Sequence, residues 1–174
     1  MPCTIRTMQA DDIGNMIEVF DAVVTAAPGY LAASELQEGI ALDLDTLSPE
    51  RSFRWNEALT EYYELYPDGQ FVAVDDETGE VIGFQVVERF IGAHTRYGIL
   101  QDFCVLPAYR NGGVGRQLFE AALQKLQSDG ITRVFFESGY ENHSFHGWAS
   151  RWGFQPVSIT FMAENPASLT RSAS

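Results

Sequence analysis

The residues best able to do chemistry in this 174-residue chain lie between Leu100 and Gly115. Ile99 to Leu106 is apolar enough for a buried strand, and Pro107 stops it. Arg110-Asn111-Gly112-Gly113-Val114-Gly115 follows, and Val114, Leu118, Ala122 and Leu126 then recur at helical spacing. The glycines let the backbone turn and approach a ligand without a Cβ penalty. A helix opening there aims its unpaired N–H groups and the positive end of its dipole at the same spot. Strand, turn and helix together form an anion cradle suited to phosphate. A Walker loop is excluded, because it ends in Gly-Lys-Ser/Thr and the single lysine, Lys125, falls at the far end of the helix. The spacing also departs from the dinucleotide fingerprint, and a glycine-rich turn with no ligand stays open as the alternative.

Carboxylates supply the second candidate chemistry. Arg133-Val134-Phe135-Phe136-Glu137 reads as an apolar strand ending in an acid. A carboxylate so placed is costly unless it is used or paired. Glu137 is therefore a candidate general base, its pKa lifted by partial burial, or else the partner of Arg133 or Arg151. Asp102 is the weaker rival, because strand alternation sets it opposite the face of Gln101 and Phe103.

The elements that must position these groups follow from the rest of the chain. Thr4 to Met8 alternates like a short strand, and Asp11 or Asp12 caps a helix bearing Ile13, Met16, Ile17, Phe20 and Val24. Leu31–Leu42 and Pro49–Tyr66 both carry helical patterns. The second mixes Tyr62, Tyr63 and Tyr66 with Glu57, Glu61 and Glu64, which suits either an amine ligand or an ordinary amphipathic surface. Residues 71–74 and 81–90 form a hairpin around Asp75 to Glu80. Asn142 opens a helix that closes at Gly153, and residues 154–162 form a last strand or two around Pro156. The expectation is one domain over residues 1–163 and a polar tail over 164–174.

Composition narrows the function. The net charge of −13 argues against nucleic acid. Residues 1–98 hold 18 acids against 5 bases, whereas residues 99–174 hold 6 of each. An acidic first half would steer a cationic partner, or it is simply a solubilising surface. No apolar run is long enough to span a membrane, and the first residues lack a signal-peptide core, so a cytoplasmic location is expected. Cys3 and Cys104 suit neither a disulfide framework nor a metal site.

The order of elements from Ile5 to Met162 resembles the GNAT family of acyl-CoA-dependent N-acetyltransferases. Residues 110–115 match that family's Gln/Arg-x-x-Gly-x-Gly/Ala element, preceded by Val105-Leu106-Pro107, and Asn142 precedes Gly153-Phe154 at the family's spacing. The resemblance implies an α/β (α+β) fold with a mixed, mostly antiparallel sheet of six to seven strands and about four helices. It implies acetyl-CoA as co-substrate and direct transfer to a primary amine of a small, cationic molecule. Phe103, Cys104 and Val105 would offer main-chain groups to the pantetheine, with Arg110, Asn111, Gly112, Gly113, Val114, Gly115 and Arg116 at the pyrophosphate. Asn142, Phe145 and Trp148 would complete the coenzyme site. Glu137, five residues before Asn142, falls where related enzymes place the base. The usual general-acid tyrosine falls on Ala149, which leaves His146, Ser144, Tyr140 and Ser150 as candidate donors. The same fold also serves as a non-catalytic acyl-CoA sensor, or acts on protein N-termini or lysines, and a homodimer is a family expectation.

Overall fold

The computed structural model describes residues 2–163; the expected tail, 164–174, lies outside the described residues. The chain divides into two compact units, one running through Asn142 and one beginning at His143.

The first unit is built on five strands in spatial order β1 (Cys3–Thr7), β2 (Phe71–Asp75), β3 (Val81–Ile91), β4 (Arg96–Val105) and β5 (Val134–Phe136). The first three pairings are antiparallel, and β4 pairs with β5 in parallel, Gly98 to Leu100 against Val134 to Phe136. The strand count is lower than the six to seven expected. Residues 154–163 form no strand, because Pro156 lacks an N–H and the alternating Val157, Ile159 and Phe161 stand exposed without a ladder.

Helix α1 (Ile13–Ala26) and helix α3 (Arg51–Leu65) cover one face of the sheet. Met16, Val19, Phe20 and Val23 of α1 meet Trp55 and Leu59 of α3 over Val72, Phe84, Val86 and Cys104. Trp55 stacks on Phe20 at 4.2 Å between ring centres and meets Phe84 edge-on at 5.6 Å. The start of α1 is held by Asp12, whose carboxylate accepts the Gln9 N–H (2.7 Å) and pairs with Arg6 (2.6 Å). Helix α4 (Val114–Ser128) covers the opposite face, with Val114 and Leu118 against Ala73, Ile82 and Val105.

Between α1 and α3 the expected Leu31–Leu42 helix shrinks to α2 (Ala33–Gln37). Gly39, at φ 72°, turns the chain out of the helix, and the Ile40 and Ala41 N–H groups both close on the Glu35 carbonyl. In the second unit the described helix is α5 (His143–Arg151), closed at Gly153 (φ 91°). Among the described residues there are five α-helices, against about four expected.

Trp55 bridges both layers of the core, so Trp55→Ala should cost about 3–5 kcal/mol of stability, read as a lower midpoint in urea unfolding.

Candidate active site

Strand β4 ends at Val105, a single 3-10 turn spans Pro107–Tyr109, and the chain then enters the left-handed region twice, at Asn111 (φ 63°) and Gly113 (φ 87°). Successive N–H groups in such a turn face one concavity. No side chain caps the start of α4, so its first N–H groups stay available to an anion. Gly115 keeps helix and strand close, since a Cβ there would sit 3.0 Å from Phe103 Cζ. The cradle read from the sequence is thus built, and its residues fit a diphosphate.

Its two arginines are engaged elsewhere. Arg110 Nε donates to the Val105 carbonyl (3.0 Å), while its guanidinium lies over the Tyr30 ring and reaches the Tyr30 hydroxyl (3.3 Å). Arg116 pairs with Glu120. The cradle's attraction for anions in this state comes from backbone N–H groups and the helix dipole.

Three residue pairs before its end, β4 breaks its alternation. Gln85 pairs with Phe103 but Val87 pairs with Leu100, so Gln101 and Asp102 together oppose Val86. Gln101 Nε2 donates to Glu88 (3.0 Å), and Asp102 feels the charges of Glu35, Glu38 and Glu88. The bulge therefore turns both consecutive side chains to one side, which corrects the alternation expected for Asp102. Glu35 is buried at the start of α2 and accepts the Ala32 N–H (2.7 Å) and the Ser34 hydroxyl (3.1 Å).

These carboxyls raise one another. Burial first, then Glu35 and Glu38, hold the Asp102 carboxyl well above the usual aspartate range. Burial likewise lifts Glu35, with Glu137 adding to it. Glu38 keeps an exposed flank, yet its carboxyl is pushed up to about 7 by lost hydration and then by Glu35 and Glu88. Tyr62 of α3 faces the same group, and burial followed by the charge of Glu88 keeps its phenol protonated. Among the described residues no three acid, His or Cys side chains converge to hold a metal ion.

The sequence-predicted residues distribute as follows. Phe103, Cys104 and Val105 are consecutive on β4, and burial pushes the Cys104 thiol up, which keeps it out of nucleophilic chemistry. Glu137 lies just past β5 and is exposed, not partly buried as expected; the strand stops at Phe136 before reaching it. After it, Gly139 packs directly under the Leu31 carbonyl, leaving no room for a Cβ, and its own carbonyl accepts the Asn142 N–H (3.0 Å). In the second unit, Phe145 and Trp148 stack at 5.4 Å on α5, and His146 meets His143 edge-on at 5.9 Å. Ala149, at the position of the missing tyrosine, is buried.

Sequence reasoning missed Glu35, Glu38 and Glu88, whereas Tyr62 was among the tyrosines read as able to face an amine. The acidic first half and the polar pair Gln101-Asp102 inside an apolar strand were the available signals.

The comparisons agree with this architecture. Residues 42–154 match the acetyltransferase (GNAT) family, and the chain belongs to it; the protein is an acyltransferase. A search of curated proteins finds no match. PH1933 from Pyrococcus horikoshii OT3 is similar in structure, with a TM-score of 0.68, 17% identity, and 92% of this chain and 93% of that one covered. The NatC complex bound to Gag peptide and CoA gives a TM-score of 0.68 at 17% identity, covering 91% and 87%. Glucosamine-6-phosphate N-acetyltransferase from Arabidopsis thaliana gives 0.61 at 16%, covering 94% and 98%.

Gly113 sits where a side chain is strained, at about 1–2 kcal/mol. Gly113→Val should weaken CoA binding about tenfold by calorimetry and lower the melting temperature by a few degrees, as that strain requires.

Proposed function

We propose that the protein transfers an acetyl group from acetyl-CoA directly to a primary amine on a small cationic molecule. The observation that carries this reading is that one strand, β4, joins two subsites of opposite polarity. At its end lies the anion cradle, and at its bulge lie Asp102, Glu35, Glu38 and Glu88. A donor with a diphosphate suits the first and an ammonium suits the second.

The coenzyme supplies the acetyl group as a thioester. Backbone N–H groups of residues 111–116 hold its diphosphate, and Phe103 to Val105 align its arm; Arg110 must release the Val105 carbonyl if that group is to bind the pantetheine. Asn142 is assigned to the same coenzyme.

The carboxylates hold the amine in its ammonium form, and Asp102 takes the proton. The amine nitrogen then forms the amide bond to the acetyl carbon, the carbon–sulfur bond breaks, and the thiolate leaves. A thiolate of pKa near 8.5 is a tolerable leaving group, so proton donation by water completes the step. Glu137 is the second candidate base, because its charge is felt at Glu35.

An acceptor on a protein N-terminus is the rival reading, favoured by the fold shared with the peptide-bound NatC complex. The buried, multiply acidic character of the bulge favours the small cation. A thiol-release assay with acetyl-CoA against small polyamines and peptides separates the two. Faster turnover of peptides than of every polyamine would overturn the assignment, and no consumption of acetyl-CoA with either class would leave only a sensor of the same fold.

Asp102→Asn should lower kcat/KM about 10²-fold while CoA affinity holds, and Glu137→Gln should cost less. An equal or larger loss in Glu137→Gln would move the role there.

Loss of Glu38 removes one charge that keeps Asp102 protonated. The activity requires the ionised carboxylate, so it should fall as pH drops through the controlling pKa. Glu38→Gln should therefore shift that acid limb of the kcat/KM profile to lower pH, a direction that stopped-flow or steady-state assays from pH 5.5 to pH 9 would reveal.

A further inference from the structure

Gln85 is an anomaly in the middle of β3. It is completely buried, with apolar Phe84 and Val86 on either side. Its Nε2 donates to two backbone carbonyls, Val86 (2.9 Å) and Asp102 (3.2 Å), while its Oε1 has no partner among the described residues. A methionine would fill much the same volume without burying an unsatisfied acceptor. The feature gained in exchange for that cost is the pair of N–H donors.

Those donors meet the carbonyls of the bulge. Where Gln101 and Asp102 together oppose Val86, the regular ladder cannot serve every backbone group. A buried carbonyl left unpaired is costly, and a strand can relieve it by sliding one residue. Such a slide would carry the Asp102 side chain to the other face of the sheet. Gln85 itself is in register with Phe103, which packs against Gly115 and Phe119 of α4. It thus acts from the face opposite Glu35, Glu38 and Glu88.

We propose that Gln85 is a positioning residue for acetyl transfer, bracing the β4 bulge so that the Asp102 carboxyl stays on the acceptor side of the sheet. This rests on the reading of Asp102 as the base. The effect runs through backbone geometry, since Gln85 is completely buried and donates to the Val86 and Asp102 carbonyls.

The test compares wild type, Gln85→Met, Asp102→Asn and the double variant. Gln85→Met should lower kcat about tenfold, leave the calorimetric affinity for CoA within about twofold, and move the acid limb of kcat/KM. Glu35 of α2, Glu38 just past its end, Glu61 and Tyr62 of α3, Glu88 of β3 and Glu137 are all retained in that variant, so a moved limb reports the altered setting of Asp102. In the Asp102→Asn background, Gln85→Met should cost less than about twofold further. Multiplicative losses in the double variant overturn the proposal, as does a parallel loss of CoA affinity and turnover with an unmoved limb.

Amide hydrogen exchange gives a readout independent of turnover. Gln85→Met should lose protection across Gln101 to Cys104, and unchanged protection overturns the brace. If wild type acetylates no amine supplied, the acetyl-transfer reading fails while exchange still decides whether Gln85 holds the bulge. Should Gln85→Met not fold, Gln85→Leu carries the same readouts, since it too removes both donors and adds no titratable group.

Discussion

The structure depends on a single extra residue in β4. A regular antiparallel pair would send Gln101 and Asp102 to opposite faces, one toward the carboxylates and one toward α4. The bulge sends both to the side of α2 and α3, where Gln101 engages Glu88 and Asp102 joins Glu35 and Glu38. Downstream of it, normal alternation resumes, with Cys104 in the core beneath α1 and Val105 in the core beneath α4. One strand can then carry a negative subsite at its middle and a positive cradle at its end.

The surrounding packing keeps that arrangement rigid. The Phe20, Trp55 and Phe84 rings lock α1 and α3 to β3, the strand that holds the other half of the bulge. Gln70 adds a polar clamp. Its Oε1 accepts the Val87 N–H (2.9 Å), and its Nε2 donates to the Val87 carbonyl (3.1 Å) and reaches the Tyr66 carbonyl at the end of α3 (3.4 Å). That clamp fastens the helix bearing Tyr62 beside the carboxylates. Mutual repulsion among Asp102, Glu35 and Glu38 is tolerated because protonation relieves it, at the expense of binding protons that a cationic ligand would displace.

Local patterns in the chain were good guides where a few adjacent residues decide the outcome. Residues 110–115 announced a cradle because positive φ at Gly113 and an open helix start are short-range properties. The hairpin at Asp75 to Glu80 was similarly legible, since Asp75 accepts the Glu77 and Thr78 N–H groups of its own turn. Patterns failed where a distant partner decides. The alternation of Val157, Ile159 and Phe161 signals a strand, but strands exist only by pairing. Glu137 ends an apolar run, but β5 pairs with β4 only as far as Phe136, and the acid falls into solvent.

By itself, the order of residues determined the strand, glycine turn and helix of the cradle, and the excess of acid in the first half, because both are written in neighbouring positions or in simple counts. Only the folded chain decided which acids meet. Glu35, Glu38, Glu88 and Asp102 come from three separate elements, and the one-residue offset between β3 and β4 that aims Asp102 at the others is a property of two paired strands rather than of either strand alone.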